Sequence, residues 1–102
     1  MKNVVWESFN KTSKNVAFNT NISTYKSILI EICNNDGNQR LSRLFMPISL
    51  IDSTKSYILR AYVTSGFNGV VSITINSAKT GCSIAAIEMN GWGNMYLAVY
   101  AG

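Results

Sequence analysis

A chain of 102 residues holds about one domain's worth of sequence, since domains most often run to about 100–150 residues, and one core is expected. Hydrophobic residues at 47% exclude a disordered chain, while charged residues at only 14% leave part of the surface to meet another protein. The net charge is +4 and histidine is absent, which removes Ser-His-Asp, Cys-His and histidine-metal chemistry because no other unperturbed side chain titrates near pH 7.

Ile, Val, Tyr, Phe, Thr and Ser dominate and no 3.6-residue pattern runs through the chain, so the reading is all-β. Val4 to Phe9 and Asn15 to Phe18 form the first two strands, joined as a hairpin by the polar stretch Asn10 to Lys14. Lys26 to Cys33 alternates Ile28, Ile30 and Ile32 against Leu29, Glu31 and Cys33, the pattern of a central strand. Asp36-Gly37 within Asn34 to Gln39 marks a hairpin, with Arg40 to Met46 returning alongside and Pro47 ending the ladder. Ile48 to Thr54 is a connection with one helical turn near Ser49, and Ser56 to Thr64 is the next strand. Ser65 to Gly69 reads as a five-residue hairpin loop, after which Val71, Ile73 and Ile75 point inward. Lys79 to Gly81 turns the chain into Cys82 to Met89, and Asn90 to Asn94 turns it into Met95 to Tyr100. About eight antiparallel strands at this spacing predict a β-sandwich of jelly-roll-like arrangement over residues 1–102.

The chemistry visible in the chain is sparse. Lys2, Lys11, Lys14, Lys26, Arg40, Arg43, Lys55, Arg60 and Lys79 are scattered, which fits a solvated basic surface better than a nucleic-acid groove. Cys33 and Cys82 form no C-x-x-C motif and read as buried free thiols, with a disulfide as the alternative. Glu31 and Glu88 read as ordinary surface or interface charges in preference to a pair facing each other across strands. No phosphate-binding glycine motif, cofactor motif or metal-ligand spacing is present, nor an apolar segment of the ~20 residues a membrane helix needs, nor a signal peptide. No enzymatic activity is expected. What remains is a surface rich in Asn, Ser, Thr and Tyr, which serves equally for turns and for binding saccharides or proteins.

Five segments carry a resemblance: Val5-Trp6-Glu7-Ser8, Tyr25 to Glu31, Phe45-Met46-Pro47-Ile48, Asn90-Gly91-Trp92-Gly93 and the closing Met95 to Gly102. In order and kind they resemble the C-terminal receptor-binding head domains of phage tail-fibre and baseplate proteins. The closing Tyr100-Ala101-Gly102 has one residue more than the family's "I-Y-G". The start at Met1 with no fibrous shaft before it reads either as a head domain cut from a longer fibre or as a short phage-type gene product that uses the same fold for another task. The resemblance implies a β-sandwich head, a homotrimer, a place on the virion as a viral protein, and recognition of a host cell-surface saccharide or protein. A small stand-alone phage or prophage protein that oligomerises and sequesters a ligand or blocks a host factor is the alternative.

Function on a rigid β-scaffold concentrates on loops. The expected ligand-binding residues are therefore Asn35, Asp36 and Asn38 on the first hairpin tip and Phe67 and Asn68 on the second, with Tyr62 as a stacking partner. Phe67 is singled out because an aromatic ring at a turn apex gains no burial from its own hairpin. Trp92 reads as a packed ring at a glycine-flanked turn, with an exposed sugar platform as the alternative.

Overall fold

A computed structural model describes residues 3–10, 14–33, 39–91 and 95–102. Eight antiparallel strands form two four-stranded sheets, so the protein is an all-β sandwich. The first sheet runs in the order β1 (Asn3–Asn10), β8 (Met95–Ala101), β3 (Ser27–Cys33), β4 (Arg40–Pro47). The second runs β2 (Lys14–Ala17), β7 (Gly81–Asn90), β6 (Phe67–Ile75), β5 (Tyr57–Thr64).

Strand alternation builds the core. In the first sheet Ile28, Ile30 and Ile32 of β3 stand opposite Ala101, Val99 and Leu97 of β8, and all six are buried. In the second sheet Val71, Ile73 and Ile75 of β6 are at most 1% exposed, and Leu59, Ala61, Cys82 and Ile84 join them. Phe18, Ile22 and Ile48, from the connections, complete one cluster that includes side chains from both sheets. A 3-10 turn over Ile48–Leu50 sits where the sequence predicts a helical turn, just after Pro47. Cys33 and Cys82 are both buried and unbonded to each other.

Three sequence expectations need correction. β1 and β2 do not form a hairpin: β1 pairs with β8 and β2 with β7, in different sheets. Neighbouring strands often pair, but each of these has an apolar face to bury, with Val5 going into one sheet's inner face and Val16 into the other's. The second hairpin loop is also shorter than predicted. Phe67 and Asn68 already belong to β6, because the Asn68 side-chain amide donates to the carbonyls of Thr64 and Ser65 (3.1 Å each) and closes the turn. Finally, Glu31 is not a surface charge, being 3% exposed and lying in the first sheet, away from Glu88 in the second.

Single-residue register slips decide where several charges point. On β4, Ile32 pairs with Ser42 and Cys33 with Arg40, so Leu41 is an extra residue. Uninterrupted alternation from buried Met46 would turn Arg40 inward; the bulge instead places it on the outer face with Arg43. On β7, Val70 pairs with Glu88 and Val71 with Ala86, so Ile87 is extra. Alternation from buried Cys82 and Ile84 would send Glu88 and Asn90 into the core, and the bulge turns both to solvent.

Burial pushes the Cys82 thiol up to about 12 and raises Cys33, Tyr96 and Tyr100 in the same direction. A folded-state pKa above the unfolded value contributes stability that is complete below about pH 8.5 and is lost as pH rises toward the folded value. The unfolding free energy, and with it the urea midpoint, is therefore expected to fall between pH 8.5 and 11, the free energy by at most ~1.4 kcal/mol per pH unit from this thiol, with a flatter profile in Cys82→Ala. A midpoint that holds constant or rises over that interval contradicts the assignment.

Candidate functional site

The outer face of the second sheet carries two cross-strand rows. Arg60, Val70 and Glu88 are register partners in one, and Tyr62, Asn68 and Asn90 in the other. Together they shape a shallow depression of about 260 Å³ lined by Arg60, Tyr62, Asn68, Val70 and Glu88, with Ala61 and Gly69 also contributing to its lining. Tyr62 is 68% exposed, on an edge strand whose inner side, Leu59 and Ala61, is held in the core.

Hydrogen bonds fix the polar groups in one arrangement. The Asn90 side-chain amide donates to Asn68 Oδ1 (2.9 Å) and to Glu88 Oε1 (2.7 Å). Asn68 in turn spends its own amide on the turn carbonyls. Both side-chain amides thus have their two donors committed, and the row faces solvent with acceptors: Asn90 Oδ1 and the remaining capacity of the Glu88 carboxylate and Asn68 Oδ1. A row of fixed acceptors beside an aromatic ring suits a ligand that brings hydroxyl donors and a flat C–H face. The depression is slightly smaller than the roughly 300–1,000 Å³ of enclosed small-molecule sites, which suits a sugar unit lying on a surface.

Of the residues predicted from sequence, Tyr62 and Asn68 come together here. Phe67 does not join them, because it alternates to the other side of β6, 47% exposed, with its ring edge within 2.7 Å of where a Cβ on Gly91 would stand. Gly91 itself has φ +80 and lies against the Gly66 carbonyl, so only glycine lets the two turns approach this closely. Asn35, Asp36 and Asn38, and Trp92 as well, lie outside the described residues. Sequence reading missed Arg60, Glu88 and Asn90; the first stands at an outward position of its strand, whereas the other two reach solvent only through the Ile87 bulge.

A second polar cluster occupies the outer face of the first sheet. Glu31, on β3, receives Arg43 Nε at 2.6 Å and Arg40 Nε at 3.4 Å. The Glu31 carboxylate holds the Arg40 guanidinium above its ordinary pKa, and the Tyr100 hydroxyl, raised by burial and then by Glu31, sits against both. Nearby on the same face the Tyr96 hydroxyl donates to the Glu7 carboxylate. Among the described residues no three His, Cys, Asp or Glu side chains gather to hold a metal ion, and no helix is long and apolar enough to cross a membrane.

No protein-family model matches the chain, and no curated protein and no solved structure shows a significant match to it.

Because Tyr62 and Asn90 are exposed, their removal should cost little stability. Tyr62→Ala and Asn90→Ala are each expected to change the unfolding free energy by less than ~1 kcal/mol in urea titrations. A loss of several kcal/mol in either would identify these residues as structural and remove the case for a ligand surface.

Proposed function

We propose that the chain is a non-enzymatic receptor-binding module of the phage tail-fibre head type, whose second-sheet face takes a neutral portion of a bacterial surface saccharide. The observation that carries this reading is the exposed Tyr62 ring beside the hydrogen-bonded Asn68, Asn90 and Glu88 row. The ring supplies a stacking surface, the row accepts from sugar hydroxyls, and Arg60 offers donors across the depression. The sequence resemblance to tail-fibre heads supports the same reading independently of this face. It also brings the expectation of a virion location.

Self-association belongs to the same proposal. Phe45 on β4, Leu50 in the connection and Ile58 on β5 are 60%, 70% and 54% exposed, and low overall charge does little to keep such exposed apolar side chains from meeting a second copy. Three copies of an 11.2 kDa chain would weigh 3 × 11.2, about 34 kDa. Light scattering at micromolar protein should give that mass; a value of one chain would contradict the trimer.

The saccharide reading is tested on an array of bacterial surface glycans with the wild type and Tyr62→Ala. The wild type is expected to select a restricted set of glycans, and the variant to lose about tenfold or more in affinity, equivalent to ~1.4 kcal/mol. Absence of glycan binding by the wild type, or equal binding by the variant, would contradict it.

A further inference from the structure

We infer that the outer face of the first sheet carries a separate site for an oxyanion, the carboxylate or phosphate group of a small ligand, gripped by Arg40 and Arg43. The two arginines and Glu31, with Leu29 and Tyr100, line a depression of about 350 Å³. It lies on the opposite sheet from the Tyr62 face, and it stands whether or not that face binds saccharides.

The geometry separates what holds the arginines from what they offer. Glu31 is 4% exposed in its side chain, whereas Arg40 and Arg43 are 48% and 59% exposed. Both use Nε toward the same carboxylate, so a group that is fixed within the sheet orients two guanidinium planes. Tyr100 lies against Arg40, and both guanidinium groups stay about half exposed, with donors beyond Nε in the fork geometry that matches a carboxylate or phosphate. Two cations against one anion leave the cluster at 2 − 1, or +1.

Compensating Glu31 requires only one of these contacts, and the Arg43 bond at 2.6 Å already supplies it. Arg40 arrives at 3.4 Å and reaches this face only because Leu41 is bulged out of register. Bulges are features that re-aim a side chain. A second arginine turned onto an already compensated carboxylate adds little to stability, since solvent screens a half-exposed ion pair, but it doubles the donors facing an incoming anion. Leu29 and Tyr100 give the carbon part of such a ligand a wall to lie against.

The experiment uses the full chain labelled with ¹⁵N and follows the arginine Nε–Hε signals of Arg40 and Arg43, with Arg60 as internal reference. Inorganic phosphate and glucuronate are titrated at constant ionic strength, with glucose as the neutral control. Saturable shifts at Arg40 and Arg43 with Kd of ~1–10 mM are expected from phosphate, glucuronate or both, and the pattern identifies which oxyanion the site prefers. Arg43→Lys keeps the charge beside Glu31 while losing the fork, and binding should weaken about fivefold or more at an unchanged melting temperature. The absence of saturable shifts up to ~50 mM of either anion, equal shifts at Arg60, equal shifts from glucose, or undiminished binding by a folded Arg43→Lys would each overturn the site. Should Arg43→Lys fail to fold, the wild-type shifts alone decide.

Discussion

Ile28, Ile30 and Ile32 stand in register with Ala101, Val99 and Leu97 on the inner face of one sheet, and across the gap, about 10 Å in such sandwiches, Val71, Ile73 and Ile75 close the core from the other. Each fully buried aliphatic side chain of this size contributes ~1.5–3 kcal/mol relative to exposure, against ~0–1 kcal/mol for an exposed ion pair. Apolar packing therefore sets the register of the central strands in both sheets, and polar groups take outward positions, locally by a slip in that register. The outer faces are consequences of the inner ones.

Strict alternation would make those outer faces poorer than they are. The extra residue Ile87 moves Glu88 and Asn90 from inward to outward positions, and the extra residue Leu41 does the same for Arg40. In each case the bulge completes a polar group already begun by a neighbouring strand: Asn68 on β6 for the first, Glu31 on β3 for the second. A buried unpaired charge costs far more than a local break in a ladder, so the charged residues themselves favour the slipped register. The outcome is one face rich in fixed acceptors beside an aromatic ring and an opposite face rich in oriented donors.

Much of this fold is legible in the sequence, because period two is a local property. The alternating isoleucines of β3 and β6 mark their buried sides, Asp36-Gly37 announces the pairing of β3 with β4, and the polar composition of Ser65 to Gly69 locates a turn that is shorter than this stretch because β6 begins at Phe67. Pairing between distant strands is not local. Nothing in Val4 to Phe9 says that its partner is the end of the chain, and so β1 and β2 read as a hairpin they do not form. Bulges are equally silent, since one extra residue leaves composition and spacing almost unchanged. That is why Tyr62 and Asn68 could be named from sequence, while Glu88, Asn90 and the gathering of Arg40 and Arg43 on Glu31 could not.

The proposed saccharide contact on the outer face of the second sheet can be read residue by residue in a two-dimensional ¹H–¹⁵N titration of the full chain with a bacterial surface saccharide. The largest backbone shifts are predicted at Arg60 to Tyr62, Asn68 to Val70 and Glu88 to Asn90, three segments joined across β5, β6 and β7. Shifts concentrated elsewhere, with these three segments unmoved at saturation, would contradict it.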